Sequence, residues 1–233
     1  MSDGVERRYD NSRRRERAAT TQLRIVTAAR ELLLEHGYAA TTMAAVAASA
    51  GVAVQTVYSA LGGGKAALVK RVWDVTIAGD LDPVPLGARS PVRDVLAEPD
   101  PARVLVAYAR LSRDIYERLG PLARVLRAAA VGDPEVAQVV DTTERERLAG
   151  TTSLATHLDG RGALRPGLSV ERAGHRLWVL NGGEVADGLV LRCGWTLDDY
   201  EDWMAESMVG AVLPRGGDPA APEGEAAKRR SRR

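Results

Sequence analysis

Apolar positions along this chain recur at three- and four-residue intervals, the period of an α-helix. Leu23, Val26, Ala29, Leu32 and Leu33 share one side of the first such stretch, which predicts an amphipathic helix from Thr21 to a terminating Gly37. Met43, Val46, Ala47 and Ala50 mark a second helix, and a hydroxyl at Thr41 or Thr42 can cap it. Gly51 follows four residues after Ala47, where a sharp turn needs left-handed backbone. A short third helix carries Val54 to Tyr58, with Val57 inward, and a fourth runs from Lys65 to about Ile77 with Val69, Val72 and Trp73 on it. Small residue, turn glycine and inward β-branched residue at this spacing suit a helix-turn-helix. Its two helices must approach closely, and the second must leave its outer face free for a groove. An ordinary corner between two helices would share that pattern.

Gly79, Pro83, Pro85, Gly87, Pro91, Pro99 and Pro101 then break the periodicity, with a short helix expected from Val92 to Ala97. Helical spacing returns at Ala102, where Val104, Tyr108, Leu111 and Ile115 form a stripe to Leu119, and Gly120-Pro121 predicts a break before a short helix through Val131. Asp133-Pro134 reads as N-cap and first-turn proline of a long helix with Val136, Val139, Val140, Leu148, Leu154 and Leu158 inward. Ser169 caps the next, which carries Leu177, Trp178 and Leu180 and is expected to continue past Gly182-Gly183 to Leu191. Thr196 with Asp199 opens the last helix, Trp195 can staple against Tyr200, and Pro214 stops it. No stretch alternates as a strand does. The fold class is therefore all-α: an N-terminal three-helix helix-turn-helix domain followed by a second helical domain. The expected divisions are a disordered basic arm over 1–20, the helix-turn-helix domain over 21–78, a linker over 79–101, the second domain over 102–213 and a disordered basic tail over 214–233.

Charge sharpens this picture. The net charge is only +1, but residues 1–24 hold seven arginines against four acids, and residues 214–233 hold six basic side chains against three acids. The body between them is acidic, which fits a protein that meets nucleic acid with a small part of its surface, and equally fits two solvated tails. Cys193 is the sole cysteine, and with His36, His157 and His175 scattered it leaves no disulfide and no metal-ligand set. There is no serine elbow, and Gly62–Gly64 lacks the strand and spacing of a phosphate loop. No cofactor and no enzyme activity are expected. No apolar run approaches membrane-spanning length and no signal-peptide core follows the N-terminal charges, so the expected location is the cytoplasm, with no membrane partner.

The run LRIVTAARELLLEHGYAATTMAAVAASAGVAVQTVYSALGGGKAAL resembles the DNA-binding domain of TetR-family (tetracycline-repressor-like) regulators. The likeness lies in Ala28-Ala29, Gly37-Tyr38, Thr41-Thr42, Val46-Ala47, Ala50-Gly51-Val52, Thr56-Val57-Tyr58, and Lys65 with Leu68. It departs at Leu61, where the family has an aromatic residue, and at Lys65, which three glycines push one residue late. The resemblance implies that Gln55 and Thr56 face the major groove and that Tyr58 reaches a phosphate. The chemistry agrees, because glutamine pairs bidentately with adenine and threonine offers both a hydroxyl and a methyl. Thr41, Thr42 and Ser59 join them as candidate DNA contacts. Lys65 does so at a helix start, where free amides favour an anion. Arg13, Arg14 and Arg15 are candidates for the phosphate backbone or the minor groove.

The resemblance also implies that the second domain is a helical ligand-binding and dimerisation domain, in a homodimer on a pseudo-palindromic double-stranded operator, most often a repressor, released by a small-molecule effector. Its pocket candidates are Tyr108, Leu111, Ile115, Val125, Leu148 and Trp178. Its dimer candidates are Gly182, Ala186, Leu189, Tyr200, Trp203, Met204 and Met208. Trp178, Gly194-Trp195, Tyr200 and Trp203 resemble a TetR subgroup common in high-GC bacteria, whose last two helices pair with their copies in a four-helix bundle. Two rivals remain at this point. One is a regulator of the same fold without a small-molecule ligand. The other is a helical binding protein or enzyme whose helix-turn-helix is incidental.

Overall fold

The computed structural model describes residues 3–82 and 84–215, with side chains from Arg17 onward. Among the described residues there is no strand. The chain divides into two compact units, one formed by Met1–Leu86 with Ile115–Glu144, the other by Gly87–Asp114 with Arg145–Arg233.

In the first unit, α1 spans Asp3–Ala40, bent at Gly37, whose φ of 76° takes the chain out of the helix. The backbone is thus helical well before Thr21, where the sequence placed a disordered arm. Arginine and alanine propagate a helix readily once an ordered turn lies beside them, so the apolar stripe marked only the part of α1 that packs. The helices α2 (Met43–Ala50), α3 (Val54–Leu61) and α4 (Lys65–Ala78) follow. One core joins them: Ile25, Ala29 and Leu33 of α1, Val46, Ala47 and Ala50 of α2, Val57 of α3, and Leu68 and Val72 of α4 are all buried.

That core also takes Leu119, Leu122, Leu126, Val136 and Val139. They come from α6 (Pro101–Ala130) and α7 (Pro134–Gly160), which follow α5 (Ser90–Ala97). The Arg30 guanidinium donates to the carbonyl of Arg118 at 3.2 Å. Segment 115–144 therefore belongs with the helix-turn-helix domain, which a contiguous division at residue 101 does not show. Nor do Gly120-Pro121 end a helix, since α6 runs through Pro121. Proline there forfeits one hydrogen bond, and burial of Leu119, Leu122 and Leu126 on one face holds the helix together across it.

The second unit contains α5, the remainder of α6 and α7, then α8 (Val170–Leu180), α9 (Gly183–Ala186) running into a π-helical segment over Asp187–Arg192, and α10 (Leu197–Val212). Leu105, Leu158, Leu177, Tyr200, Met204 and Met208 fill its core. On α8, Gly174 is required by close approach, because a Cβ there would lie 2.9 Å from the Thr152 hydroxyl and 3.0 Å from its Cα. Ser169 caps α8 by accepting from the Arg172 amide, and Thr196 with Asp199 forms a full capping box on α10. Trp195 meets Trp203 edge to face, with ring centroids 6.4 Å apart. The helix expected to pass through Gly182-Gly183 instead breaks there, with Asn181 ending α8 and Gly182 opening α9. Paired glycines weaken a helix interior, and a Cβ on Gly182 would sit 3.1 Å from the Val179 carbonyl.

Candidate nucleic-acid interface

The two short helices α2 and α3 make an angle of 102°, inside the range of DNA-binding helix-turn-helix pairs. Three local devices set it. The Thr42 hydroxyl accepts from the Ala45 amide at 3.0 Å and starts α2. Its neighbour Thr41 is buried, and its hydroxyl donates to the Gly37 carbonyl at 2.8 Å, so one threonine caps while the other ties α2 back to the bend in α1. Gly51, at φ 64°, ends α2 while its amide and that of Val52 return to the Ala48 and Ala47 carbonyls.

Two residues not singled out in the sequence brace this corner. Arg24 donates to the Ala50 carbonyl and, at 3.5 Å, to that of Gly51. Gln22 donates from Nε2 to the Ala60 carbonyl at 3.4 Å, near the end of α3. Both lie in α1 beside its apolar stripe, and nothing in a hydrophobic period marks a polar side chain that serves a neighbouring helix's carbonyls.

Val57 is wholly buried, which fixes the roll of α3. Gln55, Tyr58 and Ser59 are consequently exposed, Thr56 is half-buried, and Val54 stands exposed one residue before Gln55. The Ser59 hydroxyl donates to the carbonyls of Gln55 and Thr56, at 3.0 and 3.2 Å. Gly62, at φ 68°, closes α3 by donating to the Tyr58 carbonyl, and a Cβ on Gly63 would lie 2.8 Å from that of Ala67. The glycine run thus turns the chain tightly into α4, and Leu61 packs half-buried on the core.

Lys65 is the first residue of α4. Its ammonium donates to the Tyr38 carbonyl and lies 3.7 Å from the centroid of the Tyr38 ring. Burial pushes the Lys65 pKa down, and the Asp133 carboxylate pulls it back up. Of the arm, Arg13, Arg14 and Arg15 lie in the helical backbone of α1, but their side chains lie outside the described residues, as does the tail beyond Arg215.

Residues 25–72 match the family model of bacterial regulatory proteins of the tetR family. That segment, from Ile25 of α1 through Val72 of α4, is thus a TetR-type DNA-binding segment. The structural neighbours of the chain carry the same fold. A TetR-family regulator from Syntrophomonas wolfei superposes with a TM-score of 0.68 at 16% identity, over 82% of this chain and 95% of the other. NalD, the secondary repressor of the MexAB-OprM multidrug efflux pump in Pseudomonas aeruginosa, gives 0.62 at 21% identity, over 84% and 97%. A transcriptional regulator from Saccharomonospora viridis in complex with choline gives 0.61 at 15% identity, over 83% and 98%. Such identities speak for fold alone. No curated protein matches the chain. The regulators of that family bind DNA rather than catalyse, and α3 stands at the place of the second helix of the helix-turn-helix.

The residues expected to line a ligand pocket divide between the two units. Ile115 packs on the core of the first unit and Val125 is half-buried there. Tyr108, Leu111, Leu148 and Trp178 lie in the second. There the Arg147 guanidinium donates to the Trp178 carbonyl and, at 2.7 Å, to Asn181 Oδ1, and stacks 4.5 Å from the Trp178 ring. Asn181 Nδ2 donates to the Tyr108 hydroxyl at 3.2 Å. The Trp178 indole nitrogen is buried without a hydrogen-bond partner.

Of the expected dimer residues, Ala186, Tyr200, Met204 and Met208 are buried within the single chain, and Gly182 is buried too. Leu189 and Trp203 retain surface. Among the described residues no His, Cys, Asp and Glu cluster is able to hold a metal ion, and no single helix is long and apolar enough to cross a membrane.

Proposed function

We propose that this TetR protein is a repressor that binds a pseudo-palindromic operator as a homodimer and is released by a small molecule bound in its second unit. The observation that carries the DNA half of this reading is the roll of α3: Val57 inward, Gln55 and Tyr58 outward. Glutamine at that position reads a base edge, and the tyrosine hydroxyl and the lysine at the start of α4 reach phosphates. Two copies related by a two-fold axis place two such helices in major grooves one helical turn, or a multiple of it, apart. Leu189 and Trp203 supply surface for the partner.

The effector half rests on the polar cluster of Tyr108, Arg147, Trp178 and Asn181. Its buried indole N–H is an unmet donor, and such groups are costly to leave dry. The likeness of fold to a regulator held with choline and to a described repressor agrees with this assignment. A ligand releases the operator by changing the distance between half-sites, and it does so only to the extent that it binds one arrangement better.

Selection of bound duplexes from a random pool tests the reading. The expected product is a two-fold symmetric sequence with half-sites spaced by whole turns. Recovery of asymmetric sequences, or of none, would overturn it.

A further inference from the structure

We infer that Gln22 and Arg24 of α1 are specificity-determining positioning residues: they fix the tilt of α3, and with it how squarely Gln55 meets a base edge. The inference rests on the DNA-binding reading above and uses contacts confined to the first unit. It starts from how few anchors α3 has of its own. The helix is eight residues long, Val57 is the one side chain on it that is buried outright, and Ala53 at its start supplies no side-chain cap. Ala60 and Leu61 pack only half-buried. A single buried anchor settles which face of a helix points inward. It constrains the direction of the axis far less.

Two donors from α1 supply the other points. The Arg24 guanidinium donates to the Ala50 carbonyl and, at 3.5 Å, to that of Gly51, just ahead of α3. Gln22 donates from Nε2 to the Ala60 carbonyl at 3.4 Å, near the far end. Ala50 and Ala60 each stand in the last turn of a helix, where carbonyls have no partner in their own helix. The Arg24 bond is also charge-assisted, at the negative end of α2. Its Nη2 fills the space beside Gly51, 2.8 Å from where a Cβ would project, so the turn is held by contact as well as by hydrogen bond. With Val57 between them, the run from Ala50 to Ala60 is held at three places, and three points define a direction where one does not.

The consequence for recognition follows from leverage. A rise of about 1.5 Å per residue puts Ala60 about 4–5 Å beyond Val57 along the axis. Gln55 lies on the other side of that pivot, so a tilt that moves Ala60 carries Gln55 the opposite way. A bidentate glutamine–adenine pair tolerates only a few tenths of an ångström in each bond. A phosphate contact tolerates more, because a long side chain follows the backbone and several oxygens serve it. Loosening either tie therefore degrades base readout before it degrades backbone binding.

The test uses full-length variants, a panel of single-base changes in a duplex selected from a random pool, and a duplex of unrelated sequence. Gln22→Met and Arg24→Met each keep an unbranched stem and remove the donor. Each is expected to lower discrimination at the base pair that Gln55 reads, identified with Gln55→Ala, by about threefold to tenfold. Affinity for the unrelated duplex should stay the same. In the Gln55→Ala background neither substitution should lower discrimination at that pair any further. Arg24→Lys, which keeps a charged donor on a long stem, should restore most of what Arg24→Met loses. Gln22→Met carries the test if the arginine variant fails to fold. A role in stability alone lowers both affinities by one factor, the fraction folded, and leaves their ratio intact; that result would overturn the inference. A uniform loss for Arg24→Met, with the slope of log affinity against log salt reduced by about one, would make Arg24 a phosphate contact and overturn its positioning role. Preferences untouched by Gln55→Ala would remove the side chain through which the ties act and overturn the inference too. In each of these cases a selective unaltered chain leaves the DNA-binding reading standing, whereas an unaltered chain that selects no duplex would overturn both.

Discussion

The Arg24 guanidinium donates to the carbonyl of Ala50, the last residue of α2. A side chain from the long first helix thus sits at the corner from which the recognition helix departs. The same guanidinium lies 2.8 Å from where a Cβ on Gly51 would project. Glycine is demanded there twice, by its positive φ and by the arginine packed against it.

Gly51→Ala is therefore expected to cost about 1–2 kcal/mol from the left-handed backbone, and more from displacing Arg24. Arg24→Ala alone loses the brace. The two together should cost less than the sum of the single losses, because truncating Arg24 removes the atom the new methyl meets. Urea unfolding of the two single variants and the double variant gives the comparison, and strict additivity would show that the arginine does not crowd the turn.

On α3 the exposed side chains divide by role. Gln55→Ala should relax preference at one base pair of each half-site, at about 1–3 kcal/mol of lost discrimination. Tyr58→Phe should weaken all duplexes alike and leave the ranking of sequences unchanged. Binding measured against a panel of single-base variants of the selected duplex separates the two. A uniform loss for Gln55→Ala would move that residue to the backbone.

Much of this arrangement was legible in the sequence, and the reasons are local. Gly51, Val57 and the threonine pair act through their own turn of backbone, so spacing alone located them. The caps at Ser169 and Thr196 were readable for the same reason. What escaped involved partners distant along the chain. Arg24 on Ala50 and Gln22 on Ala60 join residues 26 and 38 apart in sequence. Pro121 misled because its cost is local while the burial that outweighs it comes from the whole core. The stripe on the last helix shows the converse limit. An apolar stripe on α10 signals burial without saying by what, and Tyr200, Met204 and Met208 are already covered by their own chain.

Alkaline pH offers a test of burial. Burial first, then the Asp133 hydrogen bond, raises the Tyr38 pKa to about 12, and burial raises that of Tyr108 to about 12. Both phenols ionise at a higher pH in the folded chain than in the unfolded one, where the ordinary value is about 10. Their contribution to stability is accordingly complete below about pH 10 and is lost as pH rises toward about 12. Tyr38→Phe and Tyr108→Phe should each flatten that decline, measured as unfolding free energy against pH. An unaltered decline in both would mean that neither phenol is buried as described.

His157 provides the acid-side counterpart. Its Nε2 is buried without a hydrogen-bond partner, and burial, aided by Arg161, lowers its pKa. The unfolded chain therefore takes up a proton first as pH falls below the ordinary histidine value of about 6.5. Stability is complete above that value and declines as pH drops toward the folded pKa. His157→Gln should remove this part of the acid decline, and an identical profile would show that His157 does not contribute.

Association through the last helices leads to the sharpest prediction for the proposed dimer. Leu189 and Trp203 retain surface, while Ala186, Tyr200, Met204 and Met208 are spent on the chain's own core. Trp203 also stacks on Tyr200, with centroids 6.3 Å apart and planes 22° from parallel, so replacing it would disturb α10 itself. Leu189 offers the cleaner probe. Leu189→Arg puts a charge into the proposed interface, where burial against a copy of itself would leave it unpaired. Sedimentation should show a dimer for the unaltered chain and a monomer for Leu189→Arg, with little change in monomer unfolding. Affinity for a duplex with both half-sites should fall toward that for a single half-site, because two linked recognition helices bind far better than two separate ones. A dimer that survives Leu189→Arg would place the subunit contact elsewhere, and an unaltered chain that sediments as a monomer would end the two-fold reading of the operator.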